Sequence, residues 1–217
     1  MLDIPLIAEM KSKIPNMEKN WHRYEKFFIH KQVPAKTILV EKGEKSKCLF
    51  IVKQGVLRAA FEGKGKSSTI AFFCDNRIFV NPEDFSTQRL HEKFFLESIL
   101  PTDLYILEEA NAAIIYRENP EVKDFVIQHL IGRLFNYIDL FLSRIHYKPE
   151  ERYLNLIEEN PRLIQNIPQH YIASYLGVTT VSLSRIRQRV WKIVEKKGNI
   201  KTQNLITENK LLRTPHP

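Results

Sequence analysis

The sequence has little cysteine and no long apolar run. Its two cysteines, Cys48 and Cys74, are too few for a disulfide framework or a four-thiolate iron–sulfur cluster. Both lie in apolar stretches, so we expect buried free thiols, which fit a reducing cytoplasm. No apolar run reaches the roughly 18–20 residues that cross a bilayer, and the N-terminal stretch lacks the features of a signal peptide. The sequence therefore predicts a cytoplasmic protein without a membrane partner.

The patterns of common catalytic and metal sites are also missing. There is no nucleophile elbow with a Ser-His-Asp set and no phosphate-binding P-loop. The histidines are scattered, with no H-x-H or H-x₃-H pair. They include His22, His30, His91, His129, His146 and His170. We therefore expect a protein that is not an enzyme and that holds no metal and no cofactor.

Positive charge is concentrated in the last third of the chain. The net charge is +8, and residues 147–217 contain 12 Lys and Arg but only 6 Asp and Glu. That segment thus carries +6 of the +8, while residues 1–146 are nearly neutral. A basic patch confined to one segment is what neutralisation of nucleic-acid phosphates requires, although a solvated basic surface is the alternative.

Residues 167–191 have the pattern of two short helices joined by a tight turn. Gly177 suits a left-handed turn, and Thr179 or Thr180 can cap the second helix. The apolar positions of the first helix are Ile172, Ala173 and Leu176, and those of the second are Val181, Leu183, Ile186 and Val190. The second also carries Arg185, Arg187 and Arg189. This pattern predicts a helix-turn-helix that enters the DNA major groove; an ordinary core helix pair is the alternative.

Residues 35–115 are typical of β structure, because short apolar and β-branched runs alternate with glycine turns. Such spacing predicts a sandwich, jelly roll or barrel. The predicted strands are Thr37–Val40, Cys48–Val52, Val56–Phe61, Thr69–Phe73, Ile78–Val80, Phe94–Ile99, Leu104–Leu107 and Ala112–Tyr116. A jelly roll is also the fold of metal-dependent cupin enzymes, so a cupin-like enzyme or ligand-binding module is the alternative function. Its metal site needs clustered His and Glu, which the strands lack.

A long helix is predicted over residues 119–146. Asn119 can cap it, Pro120 suits its first turn, and no proline recurs until Pro149. About 26 residues make a helix of roughly 40 Å. A heptad seam contains Ile127, Ile131, Leu134, Ile138, Phe141 and Ile145, and a second apolar face contains Val122, Phe125, Val126, Tyr137 and Leu140. Two faces need two partners, for which we expect the β domain and a second copy of the chain; a helix buried within a monomer is the alternative.

These patterns divide the chain into three parts. We expect a β-barrel domain over residues 1–118, a dimerisation helix over 119–146 and a helical DNA-binding domain over 147–217. The resemblance described next implies that the β barrel is a sensor domain. The polar tail after Gly198 forms a small hairpin or stays disordered, and the sequence leaves this open.

Two segments resemble the CRP/FNR family of bacterial transcription regulators, and the similarity runs from about residue 20 to residue 192. VEKGEKSKCLFIVKQGVLRAAF, residues 40–61, resembles the early barrel strands, with Gly43 and Gly55 at turns. PQHYIASYLGVTTVSLSRIRQRV, residues 168–190, resembles the DNA-reading unit. The resemblance implies an α+β fold: an N-terminal jelly-roll β barrel of the cyclic-nucleotide-binding type, a long dimerisation helix and a C-terminal, winged-helix-like helix-turn-helix domain. It also implies a homodimer on a palindromic operator, with RNA polymerase as a further partner.

The sequence departs from this family where cyclic nucleotide would bind. Members that bind it have a Gly-Glu step and then an Arg followed by a small hydroxyl residue; here Val80-Asn81 and His91-Glu92 occupy those places, and Arg89 is out of register. Without the glycine the backbone cannot approach the phosphate closely, and Glu92 adds an anion. We therefore expect no binding of cyclic AMP. The interior holds an unknown small-molecule effector or is filled by aromatic side chains, namely Phe79, Phe85, Phe94 and Phe95.

The resemblance also implies roles for residues of the predicted recognition helix. Thr180, Val181 and Arg185 align with positions that face base edges, and Arg185 suits bidentate contact with guanine O6 and N7. Val181 can offer only methyl contact, for example to thymine. Phosphate contacts are expected from Gln169, His170, Thr179 and Ser182. Arg187, Arg189 and Lys192 are expected to contact the DNA backbone or to be solvated, with a domain-interface role as an alternative for Arg187.

Overall fold

The computed structural model describes residues 4–63, 65–81 and 94–197. The chain divides into two compact units, residues 1–135 and 136–217. The first begins with two short helices, α1 (Pro5–Lys13) and α2 (Met17–Tyr24), and a 3₁₀ turn at Glu25–Phe27. No helix within the described ranges is both long and apolar enough to cross a membrane.

Within the described residues, eight antiparallel strands follow in two four-stranded sheets. They are β1 (Phe28–Val33), β2 (Ile38–Val40), β3 (Cys48–Gln54), β4 (Leu57–Gly63), β5 (Lys66–Phe73), β6 (Ile78–Val80), β7 (Phe94–Ser98) and β8 (Thr102–Glu108). Their orders are β1-β8-β3-β6 and β2-β7-β4-β5. The first strand thus pairs with the last, the second with the seventh, the third with the sixth and the fourth with the fifth, which is the pairing of a jelly roll. Seven of the eight predicted strands are confirmed.

The jelly roll has an apolar core formed by alternate residues of its strands. Because successive side chains of a strand point to opposite faces, each strand contributes every second residue. Leu57 and Ala59 of β4 belong to this core, as do Phe94 and Leu96 of β7. Its other buried members include Val33, Val40, Phe50, Val52, Ala71, Phe73, Phe79 and Leu104.

A second apolar core contains residues of the N-terminal helices together with Ile51 and Leu107 of the first sheet. It also includes residues of α3 (Glu109–Glu118) and of the start of α4 (Glu121–His146). The predicted strand Ala112–Tyr116 is wrong, since these residues lie in α3. Ile114 and Ile115 favour a strand locally, but Ala112 and Ile115 bury one helical face at a spacing of three, and this packing decides the conformation.

The second unit is helical after α4 ends. Its helices are α5 (Pro149–Glu159), α6 (Pro161–Asn166), α7 (Gln169–Leu176) and α8 (Thr180–Lys197). Proline starts α5 and α6, where its missing N–H costs no helical hydrogen bond. Helix α5 packs against α6, α7 and α8. The predicted helices of this region are confirmed, whereas the tail after Gly198 lies outside the described residues.

Candidate nucleic-acid interface

The turn between α7 and α8 has the geometry of a left-handed helix C-cap. Gly177 has φ +69°, a conformation that suits a residue without Cβ. The N–H of Gly177 donates to Ser174 O at 3.1 Å, and the N–H of Val178 donates to Ala173 O at 2.9 Å. These bonds end α7 abruptly, so that only three residues separate it from α8.

Thr179 caps the start of α8. Its Oγ1 accepts a hydrogen bond from the backbone N–H of Ser182 at 3.1 Å and donates one to Ser182 Oγ at 2.9 Å. A side-chain cap of this kind stabilises a helix by about 1 kcal/mol. Of the two threonines predicted as candidate caps, Thr179 forms the cap.

Helix α8 has one apolar face and one polar face. Leu183, Ile186 and Val190 are buried at steps of three and four residues. An exposed face runs at similar steps along the other side of the helix and begins with Val181, of which 61% is accessible. Its described members are Val181, Ser184, Arg185, Gln188 and Lys192. The helix therefore offers hydroxyl, amide and cationic groups to solvent while it is anchored by its apolar side.

The sequence-predicted contact residues fall into three groups. Thr179, Thr180, Val181, Ser182 and Arg185 lie together at the start of α8, all of them exposed except the half-buried Ser182. Gln169 and His170 lie instead at the start of α7. The third group is further along α8, where Arg187 is half-buried, Lys192 is exposed, and Arg189 pairs with Glu150 at 2.8 Å. Because Arg189 is largely exposed, this ion pair contributes little to stability.

Two further residues of the exposed face were not among the predicted contacts. Ser184 and Gln188 lie one helical turn apart and are exposed beside Arg185. Helical spacing from Val181 would have identified both, since steps of three, four and seven residues return to the same face. The sequence prediction followed the family pattern of contact positions instead.

Helix α4 leaves a broad apolar stripe exposed. All six predicted seam residues are exposed, with Leu134 56% and Phe141 63% accessible. At about 100° per residue, they lie within about 80° of arc. Leu130 and Tyr137 border them on one side and Phe135 and Leu142 on the other, widening the stripe to about 160°. Val122 and Phe125 are buried in the core of the first unit, but Tyr137, predicted for that buried face, is 37% accessible.

The core of the jelly roll contains a cluster of phenylalanine rings. Phe79 stacks on Phe94 with ring centroids 5.9 Å apart, and it meets Phe73 edge-on at 5.1 Å. Phe50 is a third neighbour, at 6.0 Å. The guanidinium carbon of Arg133 in α4 lies 4.3 Å from the centroid of the Phe73 ring. Aromatic side chains from both sheets thus pack on one another in the core.

Two of the four predicted filling residues belong to this cluster. Phe79 and Phe94 do. Phe95 is also buried but is not part of this cluster, and it lies near Arg58, whose guanidinium carbon is 5.6 Å from its ring centroid. Phe85 lies outside the described residues, as do Arg89, His91 and Glu92. At the expected Gly-Glu step, Asn81 is fully buried and its Nδ2 donates to Glu44 O at 2.8 Å.

A charged group is buried on the opposite face of β4. The Arg58 side chain is 2% accessible and pairs with Glu97. Its Nε donates to Thr69 Oγ1 at 2.8 Å, and Nη2 donates to Ser67 Oγ. This network joins β4, β5 and β7 through side chains, and a buried charge requires such partners.

The described residues contain no group of three or more His, Cys, Asp or Glu side chains arranged to hold a metal ion. Cys74 is a half-buried free cysteine, and desolvation raises the pKa of its thiol to about 11. The thiol is therefore protonated at neutral pH, in which form it is a poor nucleophile and a poor metal ligand.

No protein-family model and no curated protein matches the sequence. Solved structures do match its fold. FixK2 from Bradyrhizobium japonicum is 16% identical with a TM-score of 0.66, over 79% of this chain and 86% of its own. A protein from Eubacterium rectale, described as a transcriptional regulator of the CRP/FNR family, is 17% identical with a TM-score of 0.64, over 90% of this chain and 98% of its own.

The c-di-GMP-responsive global regulator CLP of Xanthomonas campestris has a TM-score of 0.61 at 12% identity, over 80% of this chain and 91% of its own. At such identities the likeness concerns the fold. The chain has the fold of CRP/FNR regulators, a jelly roll followed by a helical domain, and the predicted fold class is confirmed.

Proposed function

We propose that this protein is a dimeric, sequence-specific, DNA-binding transcription regulator whose jelly-roll domain does not bind cyclic AMP. The observation that carries the proposal is the exposed face of α8. It combines Arg185 with hydroxyl and amide groups, and it follows a capped left-handed turn. Both features are those of a recognition helix in the major groove.

The surface chemistry of α8 fits direct reading of bases. Arg185 is exposed and can donate two hydrogen bonds to guanine, while Gln188, one turn further on, can bond adenine through its amide. Val181 offers methyl groups to thymine. Thr180 and Ser184 add hydroxyl groups, which bond either bases or phosphates. Phosphate contacts are assigned to Gln169, His170, Thr179, Ser182 and Lys192, with Arg187 and Arg189 as further basic groups near the backbone.

A homodimer would cover the apolar stripe of α4. Large side chains along the stripe are between 37% and 63% accessible in the single chain, and their exposure to water costs about 25 cal/mol per Å². A second α4 related by a two-fold axis would offer the same stripe in return. Such a dimer carries two α8 helices, which suits a palindromic operator with half-sites about 34 Å apart.

The proposal that cyclic AMP does not bind is supported by the interior of the jelly roll. Phe79 and Phe94 stack within the jelly-roll core, and the buried amide of Asn81, at the expected Gly-Glu step, already has a protein partner. The proposal leaves open whether the jelly roll binds a small-molecule effector other than cyclic AMP. RNA polymerase is the further partner that the resemblance implies, and the cytoplasm is the compartment in which a bacterial regulator meets it.

Selection from a random double-stranded DNA library tests the proposal. Purified full-length protein should enrich an inverted repeat whose half-sites are separated by about one helical turn. A double variant, Arg185→Ala with Gln188→Ala, is the matched control, since both side chains are exposed and their loss leaves the fold intact. It should no longer enrich the base pairs that Arg185 and Gln188 contact in each half-site. If the unaltered protein enriches none either, the protein is not a sequence-specific regulator.

A further inference from the structure

The C-terminal end of α7 is held by two arginines that belong to other helices. The turn bonds use Ala173 O and Ser174 O, and the last two carbonyl groups of α7 belong to Tyr175 and Leu176. Arg144 Nη2 donates to Tyr175 O at 2.7 Å, and Arg152 Nη2 donates to Leu176 O at 3.0 Å. Terminal carbonyls need such partners, and the negative end of a helix dipole favours cations.

Arg152 also reaches the end of α4. Its Nη1 donates to the backbone oxygen of Arg144 at 3.3 Å, in the last turn of that helix. One guanidinium therefore bonds a carbonyl of α4 and a carbonyl of α7, using different nitrogens. The planar fork of Arg fixes the direction of both bonds, which the single nitrogen of Lys cannot do.

This arrangement has a free-energy cost. Burial and the neighbouring Arg144 cation both lower the pKa of the Arg152 guanidinium. In addition, Arg152 Nε is buried without a hydrogen-bond partner among the described residues. An unpaired buried donor is unfavourable, so the arrangement is poorly explained as a device for stability alone.

We propose that Arg152, together with Arg144, is a positioning residue that sets the orientation of the α7–α8 pair relative to the end of α4. This inference rests on the proposed function, in which α4 forms the dimer and α8 reads DNA. In such a dimer, a fixed angle between the end of α4 and the turn before α8 fixes the separation of the two recognition helices. The two arginines then determine which operator spacing is accepted, while the exposed residues of α8 determine which bases are.

The test compares operators that differ only in the spacing between half-sites. One inserted base pair moves a half-site by about 3.4 Å and rotates it by about 35°. The unaltered protein should bind the selected operator at least about tenfold more tightly than the operator with the insertion. Arg152→Ala should reduce this ratio to about twofold or less, with the base preference within each half-site unchanged.

Three further variants separate positioning from stability. Arg152→Lys keeps the charge but not the planar fork of the guanidinium, so it should lose the spacing preference as Arg152→Ala does. The lysine variant replaces the alanine variant in this test if the latter does not fold. Arg144→Lys should retain the preference, because a single bond to Tyr175 O can be made by Lys. Ile157→Val removes one buried methyl group from the same helix as Arg152, so it should lower the melting temperature by about 2–8 °C and leave the spacing ratio unchanged.

The inference is overturned if folded Arg152→Lys keeps the full spacing ratio, or if Ile157→Val reduces the ratio as much as the arginine variants do. Loss of base preference in Arg152→Lys would also overturn it, because the arginine would then support the shape of α8 itself. Failure of the unaltered protein to select any inverted repeat is a different result, since it removes the proposed function and not merely the role of Arg152.

Discussion

The jelly roll and the helix-turn-helix differ in what they do with their distinctive side chains. In the jelly roll, Phe73, Phe79 and Phe94 point inward and pack on one another. In the helix-turn-helix, Arg185 and Gln188 point outward on a helix whose other side is buried. The first unit thus keeps its distinctive side chains within its core, whereas the second presents them to solvent. The proposed function therefore assigns DNA specificity to α8, where polar and cationic side chains are accessible.

The largest expected effect concerns the stripe on α4 that would join two copies. Replacing both Leu134 and Ile138 by Asp places four unpaired carboxylates in the proposed interface, at a cost of several kcal/mol. Sedimentation should show a monomer at micromolar concentration, and operator affinity should fall at least about a hundredfold because only one half-site is held. Both residues are exposed in the single chain, so the melting temperature of the monomer should change little.

Asn136→Asp is the matched control for that variant. Asn136 is exposed on α4 about 180° from Ile127, so its new charge lies away from the stripe. This variant should remain a dimer. A dimer that survives the Leu134 and Ile138 substitutions would place the interface elsewhere.

The next largest effect is expected from a substitution in the aromatic cluster of the jelly roll, which tests whether this core influences base preference. Phe79→Ala removes a ring that touches three other phenylalanines and should lower the free energy of unfolding by about 3–5 kcal/mol. Denaturant titration measures this loss. The bases preferred by the folded fraction should not change, because α8 is unaltered. A change in base preference would show that the jelly roll contributes to reading DNA.

Much of the fold could be predicted because local signals agree with the tertiary structure. Glycines lie in the connections before β3, β4 and β5, and the α4 seam follows a seven-residue repeat without interruption. Where two signals conflict, the prediction failed. Ile114 and Ile115 are β-branched, yet they lie in α3, since burial of Ala112 and Ile115 outweighs a local preference of less than about 1 kcal/mol. The N-terminal helices were missed because α1 is short, with buried residues such as Leu6, Ile7 and Met10 as its main signal.

The site could be predicted where it depends on spacing and could not where it depends on contacts. Gly177 and Thr179 have the roles that their positions before a helix suggest. Arg144 and Arg152, in contrast, donate hydrogen bonds to carbonyl groups at the end of α7. These carbonyl groups lie 31 and 24 residues further along the chain, respectively. No local pattern reveals such a meeting, because it arises only when α4, α5 and α7 have packed. Arg189 illustrates the same limit, since its pairing with Glu150 brings together two distant turns.

Smaller effects on DNA affinity are expected from substitutions of two basic residues of α8. Arg185→Ala should cost about 1–3 kcal/mol at the selected operator and relax the preference at one base pair of each half-site. Lys192→Ala should weaken binding to all sequences alike and reduce the slope of log affinity against log salt by about one per site. Titrations at several salt concentrations, on matched and mismatched operators, separate the two. If Arg185→Ala keeps its base preference while Lys192→Ala loses it, α8 is not docked as proposed.

The smallest effect is the one expected from cyclic AMP, for which we predict no response. Calorimetry with millimolar cyclic AMP should give no saturable heat, and the affinity for the selected operator should stay the same. The reason is physical: a ligand would have to displace the stacked rings of Phe79 and Phe94, and Val80 has a side chain where a glycine would let the backbone meet the phosphate. Phe79→Ala sharpens the test, because it opens space without restoring the Gly-Glu step and should therefore also fail to bind. Micromolar affinity in the unaltered protein would show that the jelly roll binds cyclic nucleotides. The contrast between an inward-facing aromatic core in the jelly roll and an outward-facing polar surface on α8 would then no longer hold.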